Sequence, residues 1–396
     1  MLIWFALVIP VLSAVVLLIF WRRFVTWWEL AIPVAAAALL IVGFKAGVES
    51  SLTTQTEYWG SSVARATYTE HWDEEVSCRH SYNCRCKKDS KGNESCDTCY
   101  SHAYDVDDHP ETWTVAATSG ETFPIGSGEY SRLTRQFGNQ AFRALHHHNV
   151  HSINGNAYDT TWPGTDETLE AVTTAHTYEN RVQASNSIFR FQDVDPKDVA
   201  TYGLYQHPGI SNYSSPALLG FNSPAAERAL QVINARLGAR KQVRVYLLVF
   251  RDKPIEAGAL QQRYWQGGNK NEFVMTVGID KAGAVLWAFP FSWSEREGLK
   301  IDARNHIMEQ PRFDPVEYAT WLRPQILRQW QRKRFRDFNY LTVEPPTWAV
   351  VTTYLLTTIV TVVIAFWIVR NDFVAPDEQR RRREDAATRR RRYPWA

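Results

Sequence analysis

Three long apolar runs govern what this chain can become. Residues 2–20 (LIWFALVIPVLSAVVLLIF) carry no charge, and at about 1.5 Å per residue they cross most of a roughly 30 Å hydrocarbon core. Residues 24–44 contain one carboxylate, Glu29, near one end, followed by the uninterrupted run LAIPVAAAALLIVGF. A carboxylate at headgroup depth is tolerated where one at mid-bilayer is costly. Residues 347–370 are apolar from Trp348 to Val369, with tryptophan at both ends, the placement favoured at membrane interfaces. The spacing predicts three transmembrane helices. Nothing basic precedes the first run, no small-x-small cleavage pattern follows it, and a second apolar run begins at once, so a cleaved signal peptide is not expected.

Arginine sets the expected orientation. Arg22 and Arg23 lie in the short turn between the first two runs, and the tail after the third holds Arg380, Arg381, Arg382 and Arg383, then Arg389, Arg390, Arg391 and Arg392. Two crossings separate turn from tail, so both share a face, which the positive-inside rule assigns to the cytoplasm. The N-terminus and residues 46–346 are then extracytoplasmic. Residues 45–346 hold 33 Lys and Arg against 36 Asp and Glu, so the excess of positive charge is confined to turn and tail. Each basic group beside an anionic leaflet contributes about 1 kcal/mol, which makes membrane lipids the expected contact of the tail. No aromatic interleaves the two arginine blocks, Tyr393 following only after the second, which argues against nucleic acid as a partner.

All five cysteines fall in SCRHSYNCRCKKDSKGNESCDTC, residues 77–99. Strand-like alternation flanks this stretch on both sides and its middle, KKDSKGNES, is rich in turn residues, which predicts a long β-hairpin with a cross-linked tip. In an oxidising compartment Cys78, Cys84, Cys86, Cys96 and Cys99 make two disulfides, with one cysteine left free or paired to another subunit. The alternatives are zinc held by the CxC and CxxC pairs, with His80 or His102 nearby, and a redox role for Cys96 and Cys99, which no βαβ context supports.

Further along, EYSRLTRQFGNQAFRALHHHNVH predicts two short helices broken at Gly138-Asn139. His146, His147, His148 and His151 follow. His148 and His151, three apart, would share a helix face, and with His146 they form a second candidate metal cluster. The plainer reading is histidine closing a helix at the negative end of its dipole. Within the polar stretch 165–216, NSIFRFQDV is strand-like.

Residues 218–346 predict an α-β-α-β-β-α succession on a small mixed sheet. Ser223-Pro224 starts a helix with the stripe Ala226, Leu230, Ile233 and Leu237, and Gly238 is its expected C-terminal cap. QVRVYLLVF is an inner strand, IEAGALQQRYW a short helix, and EFVMTVGID with AVLWAFPFSW a hairpin across Lys281-Ala282-Gly283. A long helix over residues 314–338, kinked or divided at Pro324, closes the unit.

The element order, the phrase LGARKQVRVYLLVF, and GGNKNEFVMTVGID with its hairpin partner resemble the TPM-domain family of membrane-tethered modules, over residues 218–295. The resemblance implies a domain held outside the cytoplasm near a transmembrane helix, and it extends to members described as acid phosphatases, calcium binders or assembly factors. The whole chain also resembles uncharacterised membrane proteins of phages and bacteria. The expected fold is therefore a membrane-anchored α+β protein. It has a transmembrane helical hairpin at 1–47, a β-rich extracytoplasmic region at 48–217, a TPM-like core at 218–346, a third transmembrane helix at 347–370 and a cytoplasmic tail at 371–396.

Asp252, Lys270, Glu272 and Asp280, with Asp302 further on, are the dispersed candidates for an anion or metal loop. Gly267-Gly268-Asn269-Lys270-Asn271 would turn backbone amides and an ammonium toward an anion, or simply satisfy the geometry of a helix-to-strand connection. Sixteen tryptophans suit an interaction surface. The expected function is a binding or scaffold module at the cell envelope, acting on a protein partner or a second copy of the chain. The alternatives are a metal-assisted phosphatase, by the TPM resemblance, and a metal-binding regulatory protein using the cysteine tip or the histidine run; the candidate metals are zinc at the tip, and calcium.

Overall fold

The computed structural model describes residues 2–21, 25–77, 81–100, 105–145, 153–371 and 385. Its helices are α1 (Val8–Trp21, after a 3-10 turn at Leu2–Leu7), α2 (Trp27–Thr53), α3 (Ser127–Phe137), α4 (Arg181–Ala184) and α5 (Pro196–Tyr202). They continue with α6 (Pro224–Lys241), α7 (Glu256–Tyr264), α8 (Glu297–Met308), α9 (Pro315–Gln329) and α10 (Thr347–Asn371). The strands are β1 (Thr54–Thr69), β2 (Trp72–Ser77), β3 (Ser81–Lys88), β4 (Glu94–Tyr100), β5 (Asp105–His109), β6 (Thr112–Ala117) and β7 (Thr122–Pro124). They continue with β8 (Ala141–Ala144), β9 (Asn156–Thr161), β10 (Ala171–Glu179), β11 (Leu218–Leu219), β12 (Arg244–Arg251), β13 (Glu272–Ile279) and β14 (Val285–Ser292).

Two compact units emerge. One gathers Met1–Gln55, Tyr178–Arg190 and Phe335–Ala396. It holds three helices long and apolar enough to cross a membrane, Leu2–Trp21, Trp27–Thr53 and Thr347–Arg370. They pack on one another, with Ile3, Ala6 and Ile41 meeting in one buried cluster. Ala349, Thr353, Thr357 and Thr361 recur every fourth residue on the buried face of α10, as Pro33, Ala37 and Ile41 do on α2, a composition that lets helices approach closely in lipid. Glu29 is tolerated because it sits in the first turn of α2, where its carboxylate accepts the Thr26 N–H and hydroxyl, both at 2.6 Å. The segment 178–190 fastens to the far end of α2: Arg181 pairs with Glu49 at 2.9 Å, and the Asn180 amide donates to Gln55 at 2.7 Å.

The second unit, Thr56–Thr177 with Phe191–Arg334, contains two principal sheets. The first runs β7-β6-β1-β9-β8, with β10 added on β1. Beyond it the antiparallel pairs β1–β6, β2–β5 and β3–β4 follow one another outward, which is the predicted long hairpin. Its tip turns at Asp89, whose carboxylate accepts the N–H groups of Lys91 and Asn93 at 2.8 and 2.9 Å, and at Gly92, with φ of 83°.

The second sheet runs β11-β12-β13-β14, with β12 parallel to β13 and β13 antiparallel to β14. Every residue of β13 is buried, and so is every residue of β12 except Arg251, because helices cover both faces. Val245, Leu247 and Val249 point to the side of α6, α8 and α9, while Tyr246, Leu248 and Phe250 point to the side of α7. The expected inner strand and the expected hairpin are both present, the latter turning at Gly283 with φ of 85°.

Four expectations differ. The helix foreseen after Gly138-Asn139 is instead β8: Gly138, at φ of 77°, stops α3, and Ala141–Ala144 pairs with β9. NSIFRFQDV forms no strand. Gly238 is not a cap, since α6 continues to Lys241 and ends at Gln242 with φ of 48°. The helix foreseen over 314–338 stops at Gln329, where Trp330 turns extended and donates its indole N–H to the Lys241 carbonyl at 3.1 Å. An unforeseen helix, α8, precedes it.

Candidate functional site

At the hairpin tip Cys84 is bonded to Cys99 and Cys86 to Cys96. Donor atoms of Cys86, Glu94 and Cys96 lie close together, but disulfide sulfurs are not the thiolates zinc requires, so Cys84, Cys86, Cys96 and Cys99 act as cross-links. Cys78, His80, His102, His146, His147, His148 and His151 lie outside the described residues, as do Arg22, Arg23, Arg380–Arg383 and Arg389–Arg392.

Of the acidic candidates, Asp252 and Asp280 stand side by side at the C-terminal ends of the parallel strands β12 and β13, where Arg251 pairs with Ile279, while Glu272 and Asp302 lie elsewhere. Asp252 follows β12 with φ of 52° and donates its N–H to the Ile279 carbonyl. Asp280 follows β13, where its carboxylate accepts the Ala284 N–H at 2.8 Å and closes the hairpin. Glu272 opens β13 at the opposite end, about 26 Å from Asp280 at roughly 3.3 Å per residue. Asp302, exposed on the outer face of α8, accepts from Gln329 at 3.0 Å. Lys270 turns to Glu57, 3.4 Å away, which also accepts from Arg332 at 2.7 Å. Burial raises Glu57 above the ordinary carboxylate range against the pull of both cations, and burial likewise lowers Lys270.

What the glycine loop builds is a latch. Glu272 is fully buried, and its carboxylate accepts the Asn269 N–H at 2.9 Å, the Asn269 amide at 2.8 Å and His207 Nε2 at 2.7 Å. His207 Nδ1 lies 3.2 Å from the Pro208 carbonyl, so both ring nitrogens are engaged, as an imidazolium requires. Burial works to lower the His207 pKa, but Glu272 reverses this and holds it above the ordinary value. Burial works to raise Glu272, and His207 with Asn269 holds it below. Beneath them Arg244, wholly buried, donates to Thr173 at 2.9 Å and to the Ser215 carbonyl at 2.7 Å. Burial pushes the neighbouring Tyr246 phenol up to about 12. Neither His207 nitrogen is free to take a proton from a substrate, so the arrangement ties the 204–216 loop to the sheet.

Among the described residues, a cleft of about 550 Å³ opens at the start of α6. Ala171, Pro216, Leu218, Phe221 and Pro224 supply apolar wall; Ser214, Asn222, Glu170, Glu227 and Gln231 supply polar groups. Ser223 caps α6 by accepting the Ala226 N–H at 3.2 Å. Glu227 reaches back to accept the N–H groups of Ala217 and Leu218 at 3.0 and 2.7 Å, where the chain enters the short edge strand β11. Arg228 donates to the carbonyls of Asp166 and Leu169 and so carries its charge away. Glu170 is held by Arg132 at 2.8 Å. A mixed wall of this size accommodates a small ligand or a few side chains of a partner.

The chain matches no family model, no curated protein and no solved structure. Its site therefore rests on geometry. The cleft draws on β10, the 214–218 loop and α6, three stretches that no spacing rule connects. Only the Ser223-Pro224 helix start was visible beforehand, and it marked a helix terminus rather than a cavity.

Proposed function

We propose that this protein is a membrane-anchored binding module whose second unit stands on the extracytoplasmic side and takes a protein partner in the cleft beside α6. The observation that carries the reading is the pair of cross-links at the ribbon tip, Cys84–Cys99 and Cys86–Cys96, which persist in oxidising compartments and rarely in the cytosol. The arginines of turn and tail support the same orientation through the positive-inside rule. The latch supports binding over hydrolysis, because the histidine and carboxylate that look most catalytic are consumed internally. The TPM resemblance agrees with the tethered arrangement, and its phosphatase branch has no observation here in its favour.

The test has two arms. On intact cells carrying Cys78→Ser, a membrane-impermeant maleimide should label the tip only after reduction of Cys84–Cys99 and Cys86–Cys96, while a cysteine placed by Ala396→Cys should stay unlabelled; the reverse pattern overturns the orientation. A photo-crosslinking residue at Phe221 should give a discrete adduct that one at Leu286, exposed on β14, does not. Equal or absent adducts at both positions would remove the cleft from the proposal.

A further inference from the structure

The ribbon between the first sheet and the disulfide tip has an unusual charge pattern. In the β2–β5 register Asp73 stands directly opposite Asp108, and Glu74 directly opposite Asp107. Like charges in directly opposed positions destabilise an antiparallel pair, yet two consecutive pairs are built this way. Successive residues alternate faces, so Asp73 and Asp108 share one face with His71, two positions before Asp73. Glu74 and Asp107 share the other face with His109, whose ring stacks on Trp72 at 4.0 Å.

On the first face the three side chains converge. His71 Nε2 lies 2.5 Å from Asp108 Oδ1 and 3.5 Å from Asp73 Oδ1, and one donor atom from each residue falls within 4.8 Å of the other two. The backbone beneath is fixed: the Asp73 N–H donates to the Ile153 carbonyl at 3.0 Å, and a Cβ on Gly155 would lie 2.5 Å from Trp72 Cβ. Asp73 is mostly covered, with 18% of its side chain exposed, whereas Asp108 is 70% exposed, so the site is anchored on one side and open on the other.

We propose that His71, Asp73 and Asp108 bind a first-row divalent cation, zinc by donor type, which braces the root of the cross-linked ribbon. One imidazole with two carboxylates suits zinc better than calcium, which prefers an all-oxygen shell. Donors about 2.0–2.2 Å from a tetrahedral metal stand about 3.4 Å apart. The His71–Asp73 spacing already fits, and the His71–Asp108 contact opens by about 1 Å. Water completes the fourth position. The cation neutralises the opposed pair Asp73–Asp108 and joins the β1–β2 turn, β2 and β5 at one point.

The experiment uses the full-length, untagged protein in detergent, metal-stripped with chelator, in the background H146Q/H147Q/H148Q/H151Q so that the histidine run contributes nothing. Zinc is titrated by calorimetry, and cobalt(II) is followed by its visible absorption. One equivalent should bind, with the visible band of a nitrogen–oxygen site. Asp108→Asn and His71→Gln should each weaken binding at least tenfold, while His109→Gln, on the opposite face, should leave it unchanged. Asp108→Asn also relieves the like-charge pair, so in chelator it should melt no lower than the background protein. That outcome separates loss of a ligand from loss of fold. Failure of the background protein to bind one equivalent, or unchanged binding in Asp108→Asn and His71→Gln, overturns the site.

Discussion

Gly238, in the body of α6, lies against Gly60 of β1 with no room for a side chain on either. A Cβ on Gly60 would stand 2.5 Å from the Asn234 carbonyl oxygen, and one on Gly238 would run into the Gly60 backbone. Helix and strand therefore cross backbone to backbone, which holds β1 of the six-stranded sheet against α6. Gly60→Ala and Gly238→Ala should each lower stability by about 3 kcal/mol, the upper range for overpacking a tight interior contact. Thermal melts of the purified protein check this. If Gly238 were a cap or a neutral helix position, alanine would be harmless or stabilising.

This contact also marks where sequence reasoning stops. A glycine followed by Ala-Arg-Lys at the end of an apolar stripe has the composition of a helix terminus, and only the crossing strand, nearly 180 positions earlier, explains it. The strand β8 has a different cause: its partner β9 begins about a dozen residues later, and that pairing overrides a helical spacing in Ala141–Ala144. Elements whose partners are near in sequence were legible: the apolar runs, the cross-linked hairpin, the hairpin at Gly283 and the buried strand β12. The candidate site was not, because His207, Glu272 and the cleft residues meet only after the sheets are assembled.

The His207–Glu272 latch makes stability depend on pH in two places. His207 is held above its ordinary 6.5, so its contribution is complete below about that pH and is lost as pH rises through the elevated folded value. Glu272 is held below its ordinary 4.5, so its contribution is present above that pH and is lost as pH falls through the depressed value. Arg244, whose charge acts against the imidazolium, and the rings of Tyr246 and Tyr58, 5.4 and 5.7 Å from that of His207, are further ionisable groups beside the pair. Melting temperature should peak between about pH 4.5 and 6.5 and decline on either side. Glu272→Gln should cost about 2–3 kcal/mol at pH 6, the lower range for breaking a buried pair whose partner is partly exposed, and should flatten the alkaline decline. A profile unchanged by Glu272→Gln would mean that the latch is not what titrates.

Cross-linking of the tip has a chemical signature. With Cys84–Cys99 and Cys86–Cys96 formed, Cys78 is the one thiol left in the sequence. Alkylation of the denatured, unreduced protein should modify one cysteine, and after reduction all five. The bonds span 15 and 10 residues, so each constrains the unfolded chain by about 3 kcal/mol on loop-closure grounds. The effect should be local, because no element of either sheet is cross-linked. Proteolysis between residues 78 and 99 should accelerate in Cys84→Ser/Cys99→Ser while the melting of the sheets is unchanged. A global loss of melting cooperativity would show that the tip supports the sheets after all.

Glu57 separates a structural from a ligand-binding role for the loop at Lys270. Its side chain is almost fully buried and is shared by Arg332 at 2.7 Å and Lys270 at 3.4 Å. The Arg332 guanidinium also lies 5.5 Å from the Trp59 ring centre, a cation–π distance. Replacing Glu57 by glutamine keeps a hydrogen-bond acceptor but leaves two cations facing each other, at a cost of about 1–3 kcal/mol given that both cations retain some solvent. Lys270→Met should cost under about 1 kcal/mol, since Arg332 still pairs with Glu57, and Glu57→Gln/Lys270→Met should recover part of the Glu57→Gln loss. That non-additivity, read from urea or thermal melts as a double-mutant cycle, is the mark of a closed internal ion cluster. Strictly additive losses would instead mean that Lys270 is not committed to Glu57, and would return it to the loop as a cation available for an anion.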